Sequence, residues 1–211
     1  MKPADRVARH VAALPPSGIR VFFDIVSDMK DAVSLSVGEP DFPTPWNISE
    51  SAIYAIERGH THYTSNAGIL PLREKICEYY KVRYNVSYQP EEAIVTVGAS
   101  EGIDLALRAL IDPGDEVIVP APSYVSYAPG VVLAGGVPVS AVVSTENACK
   151  LTPDALKKLI TPRTKAMILP YPNNPTGAIL TEEELKALAE VLLESNVIVI
   201  SDEIYSELTY G

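Results

Sequence analysis

Short apolar runs alternate with segments in which apolar residues recur at helical spacing. The apolar runs predict β-strands at 93–97, 116–119, 137–143, 165–170 and 197–201. The helical spacing predicts helices at 49–59, 71–84, 100–111, 124–134, 153–161 and 182–194. Because strands that alternate with helices pack into layers, the pattern predicts an α/β fold with a mostly parallel sheet.

Two helix starts carry specific local signals. Thr152 is followed by Pro153, and proline is favoured at the first position of a helix. Thr181 stands three residues before Glu184, which is the spacing of a capping box. We therefore expect these side chains to be structural.

Composition narrows the possible partners. The 211 residues are 47% hydrophobic and 21% charged, which is typical of a globular protein with one large domain or a domain and a small satellite. A net charge of -10 without a Lys/Arg-rich run disfavours nucleic acid or an anionic membrane as a partner. The charged N-terminus and the lack of a long apolar run predict a cytoplasmic protein.

Cys77 and Cys149 lack metal-ligand spacing, and we expect two free thiols without a role.

Distinctive motifs follow four of the five predicted strands. In open α/β sheets, ligands bind beyond the carboxyl ends of the strands. The motifs at these positions are Gly98-Ala99-Ser100, Pro122-Ser123-Tyr124, Asn173-Asn174-Pro175-Thr176-Gly177 and Asp202. We therefore expect four loops to meet at one edge of the sheet.

The Gly98-Ala99-Ser100 turn opens a predicted helix, where unpaired backbone N–H groups and the positive end of the helix dipole favour a phosphate. A simple turn with Ser100 near the helix cap explains the same residues. The glycine spacing does not match Gly-x-Gly-x-x-Gly, so a dinucleotide is disfavoured.

Asp202 ends an apolar strand, where burial of a carboxylate is costly without a cation or a hydrogen-bond donor. A protonated heterocyclic nitrogen would supply that partner, although a lone Asp also commonly caps the next turn. Tyr205 would lie on the same side as Asp202 if a helical turn follows. Tyr124 offers an aromatic face for stacking or packs at the surface, and the amide of Asn174 offers a donor and an acceptor.

Together these motifs resemble the N-terminal part of the class I/II, fold-type I, pyridoxal-phosphate-dependent aminotransferases. The resemblance covers nearly the whole chain and also rests on Gly38-Glu39-Pro40-Asp41-Phe42, on Tyr63-Thr64 with Gly68 and Leu72-Arg73, and on Ser201-Asp202-Glu203-Ile204-Tyr205. It implies a fold-type I large domain, incomplete at its C-terminus. Residues 1–48 would form the N-terminal arm and part of the small domain, and residues 49–211 would form part of the large cofactor-binding domain.

The resemblance also implies roles for single residues. Ala99 and Ser100 would hold the cofactor phosphate, and Tyr124 would stack on the pyridine ring. Asn174 and Tyr205 would bind the 3-oxygen of that ring.

Three further roles follow from the same resemblance. Asp202 would pair with the nitrogen of the ring. Tyr63 would reach the cofactor phosphate of a second subunit, which implies a homodimer. Gly38 and Asn174 would help to bind the substrate carboxylate.

The activity implied is the transfer of an amino group from an amino acid to a 2-oxo acid with pyridoxal 5'-phosphate. In the family, the Schiff-base lysine lies a few dozen residues beyond the Asp202-Glu203-Ile204-Tyr205 motif. We therefore expect this chain to contain no catalytic lysine and to be inactive alone. Unless another chain supplies the remainder, we also expect exposed sheet edges and apolar surface. A pyridoxal-phosphate-dependent lyase of the same fold, and a non-catalytic remnant or assembly partner, are the alternatives.

Overall fold

The computed structural model describes residues 6–15 and 42–209. The chain divides into two compact units: Met1–Pro16 with Val97–Gly211, and Ser17–Thr96. Gly38, the predicted substrate-binding residue, lies outside the described residues. The predicted boundary at residue 48 stays a prediction.

The smaller unit contains helices α2 (Trp46–Glu57) and α3 (Leu70–Tyr84) and a 3-10 turn at Pro90–Glu92. Arg73 joins α3 by hydrogen bonds to the segments that precede and follow it in the chain. Its Nε donates to the carbonyl of Gly68 at 3.2 Å, and its Nη1 donates to the carbonyl of Pro90 at 2.7 Å.

The strand predicted at 93–97 is wrong, because residues 93–96 are irregular. The amide of Val95 donates to the carbonyl of Ala67 at 3.0 Å, which is an isolated bond and no ladder. An apolar run becomes a strand only beside a neighbour that pairs with its backbone. Within residues 42–209, no strand pairs with this segment.

The larger unit alternates strands and helices, as predicted. Its helices are α1 (Arg9–Ala12), α4 (Gly98–Leu110), α5 (Tyr127–Leu133), α6 (Pro153–Leu159) and α7 (Glu182–Leu193). Its strands are β1 (Glu116–Ala121), β2 (Val137–Val142), β3 (Thr164–Pro170) and β4 (Ile198–Asp202). The sheet has the order β2-β1-β3-β4, and each neighbouring pair is parallel.

Side chains of the central strands alternate between two buried clusters. On one face, Val117 and Val119 of β1 pack with Leu107 of α4 and Val131 of α5. On the other, Ile118 packs with buried leucines of α6 and α7. Because both faces of a parallel sheet need cover, helices lie on each side. The predicted α/β/α layering is confirmed.

Both predicted helix-start signals form. The hydroxyl of Thr152 accepts from the amide of Ala155 at 3.3 Å. The hydroxyl of Thr181 accepts from the amide of Glu184 at 3.2 Å, and the Glu184 carboxylate accepts from the Thr181 amide at 2.7 Å.

The two outer strands expose apolar side chains. Val142 of β2 is 76% exposed, and Ile198 and Val199 of β4 are 41% and 39% exposed. These values agree with the expected apolar surface at the sheet edges. In the part of the chain that the structure describes, no helix is both long and apolar enough to cross a membrane.

Candidate active site

The carboxyl ends of β1, β3 and β4 and the start of α4 surround a cavity of about 230 Å³. Its lining, all from the larger unit, comprises Ala99, Ser100, Ile103, Tyr124, Tyr127, Pro172, Asn174, Asp202, Ile204 and Tyr205. Sites for drug-sized ligands typically enclose about 300–1,000 Å³. The cavity therefore suits one aromatic ring with short substituents better than a dinucleotide.

The start of α4 forms one end of this cavity. Gly98 has a φ of 79°, a left-handed conformation that favours glycine, and the chain then enters the helix. Ser100 does not have the capping role that a simple turn would give it, because the carboxylate of Glu101, one residue further on, accepts from the backbone amide of the N-cap residue Val97. The exposed Ala99 and Ser100 thus present the first turn of a 13-residue helix to the cavity.

Asp202 ends β4 and is half-buried. Its Oδ1 accepts from the amide of Ile204 at 3.2 Å, which is the turn-capping contact. Its Oδ2 accepts from the hydroxyl of Tyr127 at 2.6 Å. The carboxylate is therefore oriented at both oxygens while it lines the cavity.

Tyr127 is a site residue that the sequence analysis missed. It is 3% exposed, and burial, followed by the hydrogen bond to Asp202, raises the pKa of its phenol. Helix α5 begins at Tyr127 and not at the predicted position 124, because residues 121–126 first turn the chain out of β1. The three-residue spacing from Tyr124 is a signal that could have pointed to Tyr127.

Asn174 and Tyr205 meet as a pair. The Nδ2 of Asn174 donates to the hydroxyl oxygen of Tyr205 at 3.3 Å, across 31 positions of sequence. Tyr205 lies in the turn that follows Asp202, where the amide of Leu208 donates to its carbonyl at 2.9 Å. The expected helical turn thus brings Tyr205 into the same cavity as Asp202.

Asn173 is a second residue that the sequence analysis did not single out. It is 3% exposed, and its Nδ2 donates to the carbonyl of Pro122 at 3.0 Å and to the hydroxyl of Thr176 at 2.9 Å. It therefore joins the loop after β1 to the loop after β3. Its buried Oδ1 accepts no hydrogen bond from the described residues.

Tyr63 lies in the smaller unit and is fully exposed. Neither Cys77 nor Cys149 forms a disulfide, and no cluster of possible metal ligands occurs among the described residues. Among the residues that the structure describes, no lysine lines the cavity.

Fold and site together define a class I/II aminotransferase core, and the chain belongs to this family. The sequence profile of the family "Aminotransferase class I and II" matches residues 30–211. The chain is 46% identical to aspartate aminotransferase of Geobacillus stearothermophilus, over 98% of this chain and 53% of the relative. It is 42% identical to aromatic-amino-acid aminotransferase 2 of Thermococcus litoralis, over 92% of this chain and 50% of the relative.

Solved structures agree with these sequences. Aspartate aminotransferase from Thermus thermophilus with maleate superposes with a TM-score of 0.92 and 41% identity, over 97% of this chain and 55% of that one. The chain thus spans about half the length of the relatives it matches.

Proposed function

We propose that the protein to which these residues belong transfers an amino group from an amino acid to a 2-oxo acid with pyridoxal 5'-phosphate. The observation that carries this proposal is the position of Asp202, an oriented carboxylate on the wall of a cavity large enough for one substituted ring. The family membership and the names of the relatives support the reaction class.

The donors and acceptors around the cavity suit this cofactor. Asp202 would keep a proton on the ring nitrogen, and Tyr124 would present its aromatic face to the ring. Asn174 and Tyr205, already paired at 3.3 Å, would donate to the ring oxygen.

The phosphate of the cofactor would accept from backbone N–H groups at Ala99 and Ser100. When bound, the cofactor supplies an electron-withdrawing ring that stabilises negative charge at the α-carbon of the amino acid. A base must then move the proton at that carbon. Since no lysine of residues 6–15 or 42–209 lines the cavity, and the resemblance to the family points to a later lysine, we infer that this base is a lysine outside the 211 residues.

We infer further that the protein is a cytoplasmic homodimer in which Tyr63 reaches the phosphate held by the second subunit. Gly38 and Asn174 would bind the carboxylate of the substrate. The full exposure of Tyr63 in its own unit leaves its phenol available for such a contact. Sedimentation equilibrium tests the dimer, and cell fractionation tests the compartment.

The first experiment measures the intact mass of the protein isolated from its source, and then maps its cofactor lysine. Borohydride reduction after addition of pyridoxal 5'-phosphate fixes the cofactor to the lysine that holds it, and peptide mass spectrometry identifies that lysine. We expect one modified lysine, C-terminal to Gly211. A protein that ends at Gly211, or reduction that marks no lysine, contradicts the aminotransferase proposal.

The second experiment tests the cavity itself with Asp202→Asn, using Asp154→Asn as the control because Asp154 is an exposed carboxylate on α6. A hydrogen bond to a charged group contributes about 1.5–3 kcal/mol, so we expect Asp202→Asn to slow amino-group transfer at least about tenfold. Equal rates in the two variants would overturn the assignment. Continued turnover to a 2-oxo acid without an added acceptor, beyond the single release per bound cofactor that a transfer half-reaction allows, would identify a lyase.

A further inference from the structure

Tyr127 contacts two residues that the proposed function assigns to the cofactor ring. Its hydroxyl donates to Asp202 Oδ2 at 2.6 Å, and its ring meets the ring of Tyr124 edge to face, with centroids 5.4 Å apart and an interplanar angle of 77°. Tyr124 and Asp202 are 78 positions apart in the sequence. The buried side chain of Tyr127 therefore contacts both the ring of Tyr124 and the carboxylate of Asp202.

We propose that Tyr127 is a positioning residue that sets both the tilt of Tyr124 and the strength with which Asp202 accepts from a heterocyclic nitrogen. This inference rests on the proposed function. It concerns a residue that needs no contact with the substrate.

The carboxylate of Asp202 shares its charge with two donors. Oδ1 accepts from the amide of Ile204, and Oδ2 accepts from the phenol of Tyr127. Each donor stabilises the ionised carboxylate and lowers its basicity, so a third partner meets a weaker acceptor. Loss of the Tyr127 hydroxyl should therefore strengthen the interaction between Asp202 and a ring nitrogen.

The phenol of Tyr127 remains a donor over the working pH range. Its burial raises its pKa, and the negative charge of Asp202 raises it further. The other titratable groups that face it are Tyr205 and Tyr124, which act in the same direction. The hydroxyl of Tyr127 therefore stays protonated and continues to donate to Asp202, whereas a histidine would change its charge near neutral pH.

Two variants separate the two actions of Tyr127. Tyr127→Phe removes the hydroxyl and keeps the ring against Tyr124. Tyr127→Leu removes both. Tyr171→Phe is the matched control, because Tyr171 is another partly buried phenol, whose oxygen accepts from the amide of Leu151 at 3.1 Å and does not line the cavity.

The experiment uses the protein at the length isolated from its source, loaded with pyridoxal 5'-phosphate that carries ¹⁵N in its ring. The ¹⁵N chemical shift, followed against pH, gives the protonation constant of the ring nitrogen, and calorimetry gives the affinity. In Tyr127→Phe we expect the ring nitrogen to bind its proton about tenfold more tightly. This factor is the lower end of what one hydrogen bond to a charged group contributes. Tyr127→Leu should show the same change and a further loss of affinity, and Tyr171→Phe should show neither.

The outcomes distinguish the inference from the proposed function. If the unaltered protein binds no pyridoxal 5'-phosphate, the proposed function is overturned, and this inference with it. If the unaltered protein binds but Tyr127→Phe titrates like Tyr171→Phe, the inference alone is overturned. A change in thermal stability without a change in the ¹⁵N titration would likewise show a purely structural role.

Discussion

Replacement of Asn173 by Asp should destabilise the protein far more than its small change in shape suggests. The Nδ2 of Asn173 donates to the carbonyl of Pro122 at 3.0 Å and to the hydroxyl of Thr176 at 2.9 Å. A carboxylate can make neither donation, and although the Thr176 hydroxyl can turn to donate to it, its negative charge would still face the Pro122 carbonyl in a position that is 3% exposed.

The magnitude follows from these contacts. Two lost hydrogen bonds cost about 1 kcal/mol each, and a buried charge that keeps one neutral donor costs about 3 kcal/mol, the lower end of the range for an uncompensated charge. Asn173→Ala loses the same two bonds but also removes the unpaired Oδ1, and we expect it to cost about 2 kcal/mol. Asn173→Asp should therefore be less stable than Asn173→Ala by about 3 kcal/mol at neutral pH.

Equilibrium urea denaturation followed by circular dichroism measures this difference. Asn174→Asp is the matched control, because Asn174 is half-buried and the hydroxyl of Tyr205 can turn to donate to the introduced carboxylate. We expect the control to lie within about 1 kcal/mol of the unaltered protein.

The pH dependence has a defined sign. Burial raises the folded-state pKa of the introduced carboxyl above its unfolded value of about 3.9. The part of the destabilisation that is due to the charge is thus absent below the unfolded pKa and grows as the pH rises through the folded pKa. Equal stability of Asn173→Asp and Asn174→Asp at neutral pH, or a gap that acid does not narrow, would refute the reasoning.

Three further predictions concern the scaffold, and urea denaturation measures each. Thr181→Ala removes a capping box and should cost about 1 kcal/mol, which Thr181→Ser should largely restore. Leu156→Ala opens a cavity at a fully buried position and should cost about 2–5 kcal/mol, and a cost below 1 kcal/mol would contradict the close packing of this cluster. Hydrogen bonds from Thr161 and then Arg163 lower the pKa of Glu116. The stabilisation from Glu116 is therefore present above its unfolded pKa of about 4.3 and is lost as the pH falls through its folded pKa. Glu116→Gln should reduce this loss of stability in acid, and an unchanged slope of stability against pH would contradict the assignment.

Much of the fold could be predicted from short segments of the sequence, because signals such as helix caps act on the backbone of neighbouring residues. The helix starts at Thr152-Pro153 and at Thr181 were predicted from the proline and from the capping-box spacing, and helices begin at both places. The strand at 93–97 was predicted wrongly for the opposite reason. Its apolar composition is suitable, but strand pairing depends on a neighbour that the sequence of the segment does not specify.

The alternation of strands and helices and the positions of Asp202 and Asn174 beyond the carboxyl ends of strands could be predicted from the sequence alone. The elements depend on the spacing of apolar residues, and the strand ends depend on the direction of the chain. Both are properties of short segments. The contact of the Tyr127 phenol with Asp202, 75 positions away, and the hydrogen bond from Asn173 to the loop after β1 became visible only in the folded chain. Such contacts require strand order and side-chain placement to within a hydrogen-bond length, and both are fixed by packing of the whole sheet.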